Sequence, residues 1–210
     1  MDFTETVSQI IQKSGYFIYP LILCSIVGLA IFLQKFWQLR DKNIIPEKFL
    51  DLLYNFLNHG EMKEAALLCH ENNSSISRIA AAGIDSRSSE KEMLMERLEQ
   101  AGQNEAIDMG RYIEGLGAIS TVSTLLGLLG TISGMIKIFS VISTQDIVNP
   151  PALAGGISEA LYTTAIGLSI AIPAFIAYKY ISGRYDELVT TMEQESKKIA
   201  ELISNSSNTV

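Results

Sequence analysis

The polar groups of this chain that could do chemistry stand inside or beside stretches built to be dehydrated. From Ala160 to Tyr178 there is no charged residue, yet this run opens on a carboxylate, Glu159, carries adjacent hydroxyls at Thr163 and Thr164, and contains Pro173. A second apolar stretch holds Thr131 among glycines, with Lys137 further along. A carboxylate and hydroxyls at such positions could line a path for water or protons. Other chemistry has little footing. "GLLGTISG" lacks the Lys-Ser/Thr ending of a phosphate loop, and "CHENN" has His70-Glu71 without the second histidine of a zinc protease. No serine stands in G-x-S-x-G. We therefore expect no enzyme activity, catalytic residue, metal site or cofactor.

The elements that must position these groups follow from composition. Hydrophobic residues make up 48% of the 210 residues while 19% are charged, and mean hydropathy is +0.23, so apolar and polar blocks alternate. Net charge is −7 and no basic cluster offers a face to phosphates, which argues against nucleic acid. Cys24 and Cys69 fall in segments of different kind and are not expected to pair; His59 and His70 are isolated and read as surface residues.

Three stretches reach the ~20 residues of helix that a hydrocarbon core requires. They give a membrane protein divided as 1–16 outside, span one at 17–37, a soluble helical region at 38–114, span two at 115–142, a short outer loop at 143–156, span three at 157–181 and a C-terminal helix and tail at 182–210. The leader "MDFTETVSQIIQKSG" starts acidic, and no small-residue cleavage site follows the first run, so this is read as a retained span. Lys35, Arg40, Lys42 and Lys48 stand at or after the end of span one; Lys179, Arg184, Lys197 and Lys198 stand at or after the end of span three. The leader has only Lys13, and the loop "STQDIVNPPALAGG" has no basic residue. The N-terminus and short loop are therefore expected outside, in the periplasm, and the remainder in the cytoplasm.

The soluble part reads as helix throughout. Phe49, Leu52, Leu53, Phe56 and Leu57 share one helical face, bounded by Pro46 and Gly60; Met62, Ala65, Ala66 and Cys69 share another, and Ile76, Ile79, Ala80 and Gly83 a third. Ser89 and Glu92 form a capping box, after which no proline interrupts the chain before Pro150. That helix is expected to run straight into span two, about 75 Å in all. Span three is expected to continue through Tyr185, Leu188, Val189, Met192 and Ile199. The fold class is all-α, with three transmembrane helices, two of them extended into a cytoplasmic bundle. The last residues, "SNSSNTV", read as a frayed tail.

Small residues recur at spacings of three and four: Ser120, Ser123, Gly127, Gly130 and Gly134 in span two, and Ala160, Thr164, Gly167, Ala171 and Ala174 in span three. In lipid such spacing permits close backbone approach, so both helices are expected to pack tightly. With midpoints near residues 128 and 169, Thr131 lies about 4–5 Å and Thr164 about 7–8 Å above the midplane, with Glu159 near the outer surface. A path from outside would meet Glu159 before the threonines. Each also has a plainer role: Glu159 as a hydrated carboxylate at a helix start, the threonines as hydroxyls bonded to backbone. Thr163 lies one turn below Glu159 and Thr164 about 140° round from it, so geometry leaves open which threonine matters. Lys137 is expected to snorkel to the interface.

"LLGLLGTISGMIKIF" (125–139) and "GISEALYTTAIGLSIAIPA" (156–174) resemble the two signature segments of the MotA/TolQ/ExbB proton-channel family. Three spans, an outside N-terminus and a large first cytoplasmic region resemble its ExbB/TolQ branch. The resemblance implies a stator subunit driven by proton motive force in the bacterial inner membrane. It implies a homopentamer whose second and third spans line a pore around a one-span partner of the ExbD/TolR type, which supplies a membrane aspartate. A TonB- or TolA-type protein would receive the work, for outer-membrane uptake or for envelope integrity. By motif position Glu159 matches the family's pore-mouth glutamate, and Thr131 and Thr164 its pore threonines; this favours Thr164 over Thr163. Ser123-Thr124 depart from the Ala-Pro that many members carry before the glycines, so a kink is expected to be missing. The competing reading is a structural membrane oligomer without proton coupling.

Overall fold

The structure is a computed structural model that describes residues 16–86, 91–144 and 150–207. The leader with Lys13, the Ser89 cap, residues 145–149 of the short loop and the end of the polar tail lie outside the described residues. Among the described residues the chain is all-α, with eight helices and no strand: α1 Ile18–Gln38, α2 Asp41–Ile44, α3 Glu47–Asn58, α4 Met62–Glu71, α5 Ser75–Asp85, α6 Lys91–Gly110, α7 Ile113–Thr144 and α8 Pro150–Ser207. Three helical runs are long and apolar enough to cross a membrane, Ile18–Gln38, Lys91–Ser143 and Leu153–Asn205.

The chain divides into two compact units, one of residues up to Leu33 with Tyr112–Lys179, the other of Gln34–Arg111 with Tyr180–Val210. The first is apolar. Its α7 runs unbroken across Ser123-Thr124, where Thr124 Oγ1 donates to the Ser120 carbonyl at 3.1 Å. α8 opens at Pro150, ahead of the Ile157 start expected for its apolar stretch; a proline loses little at the first helical position, whose N–H has no helical acceptor. Pro173 sits inside α8 without ending it.

The second unit is amphipathic, with a conventional core. Leu53, Leu57, Ile76, Ile79, Met192, Ile199 and Ile203 are each 2% exposed or less. The face of α3 is rotated from the expected one: Phe49, Leu50, Leu53 and Leu57 are buried, Phe56 is half-buried and Leu52 is exposed. The Ser74 hydroxyl caps α5 by accepting from the Ser77 N–H at 3.3 Å. Tyr54 donates to the Glu195 carboxylate, which also receives Lys198 at 2.7 Å. Burial pushes the Glu195 carboxyl up, but these hydrogen bonds outweigh it and hold the group below its ordinary value. Burial and the same carboxylate push the Tyr54 hydroxyl up, and burial raises the Cys69 thiol to about 12. His59 and His70 are exposed.

The uninterrupted helix expected from residue 89 to span two is corrected. The backbone leaves the helix at Arg111 and Tyr112, and Tyr112 has φ 69°, a left-handed conformation that ends α6. Neither glycine nor proline occupies that position, so the sequence carried no breaker signal. What holds the end of α6 is a buried cation. Lys35, 2% exposed, donates to the Met109 carbonyl at 3.0 Å and to Gln38 Oε1 at 2.8 Å. The Met109 carbonyl is one of the four that a helix C-terminus leaves without a helical donor. Lys35 thus belongs to the packing rather than only to the basic flank of span one.

Candidate functional site

The site is built where α7 and α8 lie antiparallel inside the apolar unit. Their contact is a ladder of small residues. Ser120 Oγ donates to the Ala171 carbonyl at 2.9 Å at one end. A Cβ on Gly167 would meet the Ser123 carbonyl at 2.7 Å and Gly127 Cα at 2.9 Å, so here backbone touches backbone. A Cβ on Gly127 would lie 3.2 Å from Thr164 Cα, one on Gly130 would collide with Thr163 Cγ2, and one on Gly134 would reach Ala160 Cβ at 2.7 Å. Gly127, Gly130, Gly134, Gly167 and Ala171 therefore all lie in one interface. In hydrocarbon, where apolar burial gives no drive to associate, this closeness is the source of dispersion and hydrogen-bond energy.

The hydroxyls are placed by this ladder. Thr164, half-buried, donates across the interface to the Gly127 carbonyl at 2.8 Å. Thr163 is 2% exposed, packs on Gly130 and donates to the carbonyl of Glu159 at 3.0 Å. Thr131, half-buried, donates to the Leu128 carbonyl of its own helix at 2.6 Å. Each hydroxyl has one hydrogen, already engaged, so what remains at each oxygen is acceptor capacity. Thr164 is level with Gly127, four residues from Thr131, which separates the two threonines by about one turn, ~6 Å. Thr131 thus lies nearer than Thr164 to the Glu159 end of the pair, the reverse of the order read from the sequence, because the helix pair sets its register by the glycines and not by the centres of the apolar runs.

Glu159 stands further along α8, half-buried, with Oε1 3.5 Å from Lys137 Nζ of α7. The ammonium of Lys137, read from the sequence as reaching for the interface, stands beside the carboxylate of the neighbouring helix. Ser123, read from the sequence as one of the small packing residues of span two, has a further feature. Its side chain is fully buried and its Oγ has no hydrogen-bond partner. The outer surfaces of both helices are aliphatic and aromatic, with Leu125, Leu129, Ile132, Ile136 and Phe139 exposed on α7 and Leu161, Leu168, Ile172, Phe175 and Ile176 on α8. Such surfaces suit lipid or further membrane helices. Among the described residues no group of three His, Cys, Asp or Glu side chains could hold a metal.

Comparison with known proteins decides the family. The profile of the MotA/TolQ/ExbB proton channel family matches residues 71–194, more than half of the chain. The chain belongs to this family. Among similar proteins, the biopolymer transport protein exbB1 of Vibrio cholerae is 28% identical over 211 residues, covering 90% of this chain and 85% of the relative. A putative biopolymer transport protein ExbB homolog of Methanothermobacter thermautotrophicus is 28% identical over 200 residues, covering 92% of this chain and 69% of the relative. The Tol-Pal system protein TolQ of Pseudomonas aeruginosa is 40% identical over 74 residues, 35% of this chain and 32% of the relative. The match to the family takes in α7 and the apolar part of α8, and with them Thr131, Glu159 and Thr164.

Proposed function

We propose that this chain is the channel and stator subunit of an inner-membrane motor, one that turns inward proton flow into mechanical work in a partner. The single observation that carries the reading is the family match over the helix pair that holds Glu159, Thr131 and Thr164 in an otherwise apolar unit. In this reading five copies surround a dimer of an ExbD/TolR-type one-span protein, with the N-terminus periplasmic and the C-terminus cytoplasmic. The partner's carboxyl alternates between neutral and ionised forms. Thr131 and Thr164 offer it oxygen lone pairs, because each hydroxyl hydrogen is already bonded to a backbone carbonyl. An acceptor welcomes a protonated carboxyl, which can donate, more than an ionised one, which cannot. The threonines then favour the neutral form at their level, and Glu159 supplies charge at the outer mouth.

Uptake through a TonB-type protein is the more strongly supported task. Similar proteins that cover 80–92% of this chain are named biopolymer transport proteins, whereas the TolQ likenesses cover 35–48% of it. The test is the native mass of the detergent-purified chain, expressed with and without an ExbD/TolR-type partner. Five copies holding two of the partner is the expected result. Thr131→Val and Thr164→Val should then abolish proton uptake in liposomes without changing that mass, and Glu159→Gln should reduce it. Full proton uptake in the double threonine variant would remove those two residues from the path. A structural oligomer, by contrast, would ignore Glu159→Gln and respond only to substitutions in the glycine ladder.

A further inference from the structure

Lys137 has no assigned part in the reading above, on which the following step rests. The setting of its pair with Glu159 is specific. Gly134 against Ala160, and Gly156 against Ile138, bring the two helices into close contact on either side of the pair. The ammonium lies 3.5 Å from the carboxylate, and the two side chains are 62% and 35% exposed, so the pair faces the open side of the interface. The backbone carbonyl of Glu159 accepts from the Thr163 hydroxyl one turn away. Among residues 132–144 of α7 and 150–163 of α8, Glu159 is the one carboxylate and Lys137 the one cation.

We infer that Lys137 is a specificity-determining residue of the outer mouth, which excludes alkali cations while leaving protons free to pass. A lone carboxylate at a constriction attracts any small cation and offers oxygens to replace part of its water. A carboxylate already neutralised by an ammonium ion offers neither, and the fixed positive charge repels a hydrated metal ion that approaches it. A proton is carried differently. It moves by rearrangement of hydrogen bonds among waters and hydroxyls, so no hydrated ion has to displace the ammonium from Glu159. The pair thus discriminates by charge rather than by width. It also needs both helices, because each supplies one charge.

The experiment uses the full chain purified with its one-span partner and reconstituted in liposomes, with proton uptake and radioactive sodium uptake measured under the same imposed gradient. The intact complex should carry protons and little sodium. Lys137→Met should raise sodium uptake relative to proton uptake roughly tenfold, and Lys137→Arg should leave the ratio unchanged. Lys137→Met combined with Glu159→Gln should bring sodium back toward the starting level, because the attracting carboxylate has gone. Lys137→Gln serves as the second variant should the methionine disturb assembly, with native mass as the check. An unchanged ratio in both Lys137→Met and Lys137→Gln, within a complex that carries protons, overturns this inference and leaves the proposed function standing. A wild-type complex that carries no protons overturns both.

Discussion

The pairing of α7 with α8 in the apolar unit is made by glycines and hydroxyls, whereas the core of the amphipathic unit is made largely of isoleucines and leucines. The contrast follows from the solvent each is built for. Water drives Leu53, Ile76 and Ile79 inward, so a core of large side chains is stabilised by leaving water. Lipid offers no such drive, and the apolar unit leaves most of its large side chains on the outside. What remains to hold its helices is van der Waals contact at short range and hydrogen bonds such as Thr164 to Gly127 and Ser120 to Ala171. The residue that matters most is therefore small in one unit and large in the other.

This contrast can be broken most directly at Gly167. A valine there must push the Ser123 carbonyl and Gly127 Cα, both backbone, and backbone cannot rotate away. Gly167→Val should destabilise the helix pair by about 3 kcal/mol or more, seen as loss of the native-mass species in detergent. Gly183→Ala supplies the opposite case, since nothing lies within 4 Å of a Cβ there. It should leave the mass unchanged and stabilise α8 by about 0.5–1 kcal/mol. If the two substitutions had equal effects, close backbone approach would not be what holds the helices. In the amphipathic unit the sensitive change runs the other way. Ile79→Ala should cost about 3 kcal/mol, read as faster hydrogen exchange across α5 with the spans unaffected.

Legibility in the sequence also divides along this line. Long apolar runs, amphipathic periods and basic flanks are local patterns, and they give the helices, the three membrane-length runs and most of the buried faces. Leu52 misled because it lies at the edge of a face that Leu50 completes from the other side. Register and end-capping are not local. Which turn of α7 meets which turn of α8 depends on glycines in both, so the level of Thr131 relative to Thr164 came out differently from the residue count. The end of α6 depends on Lys35, 74 residues away from the carbonyl it caps. The Lys137–Glu159 pair required both helices at once, so a lysine near a span end read simply as an interfacial one.

A smaller effect should appear at Tyr54 and Glu195, where the amphipathic unit buries charge without apolar help. Tyr54→Phe removes a hydrogen bond to a carboxylate and should cost about 1.5 kcal/mol. The pH dependence has two limbs. Glu195 is held below its ordinary value in the folded chain, so its contribution is complete above 4.5 and fades as pH falls through the folded value. Tyr54 is raised, so its contribution is complete below 10.0 and is lost as pH rises beyond it. Thermal unfolding between pH 8 and 11 should therefore show an alkaline decline that Tyr54→Phe diminishes. An identical decline in the variant would place its origin elsewhere.

The smallest expected effect tests the apolar unit at Ser123, among the described residues its one buried hydroxyl without a partner. Ser123 Oγ lies in the glycine ladder, where a hydroxyl loses water and gains nothing in return. Ser123→Ala keeps the small volume that the facing Gly167 requires and removes the unpaired oxygen. It should be neutral or stabilise by up to about 1 kcal/mol, measured as the thermal midpoint of the purified chain in detergent. The neighbouring Ser120→Ala has the same volume change but breaks the bond to the Ala171 carbonyl, and should lose about 1 kcal/mol. Opposite signs at two serines one turn apart would show that hydrogen bonds, and not small size alone, set the strength of this helix pair. Equal signs would leave packing as the whole account.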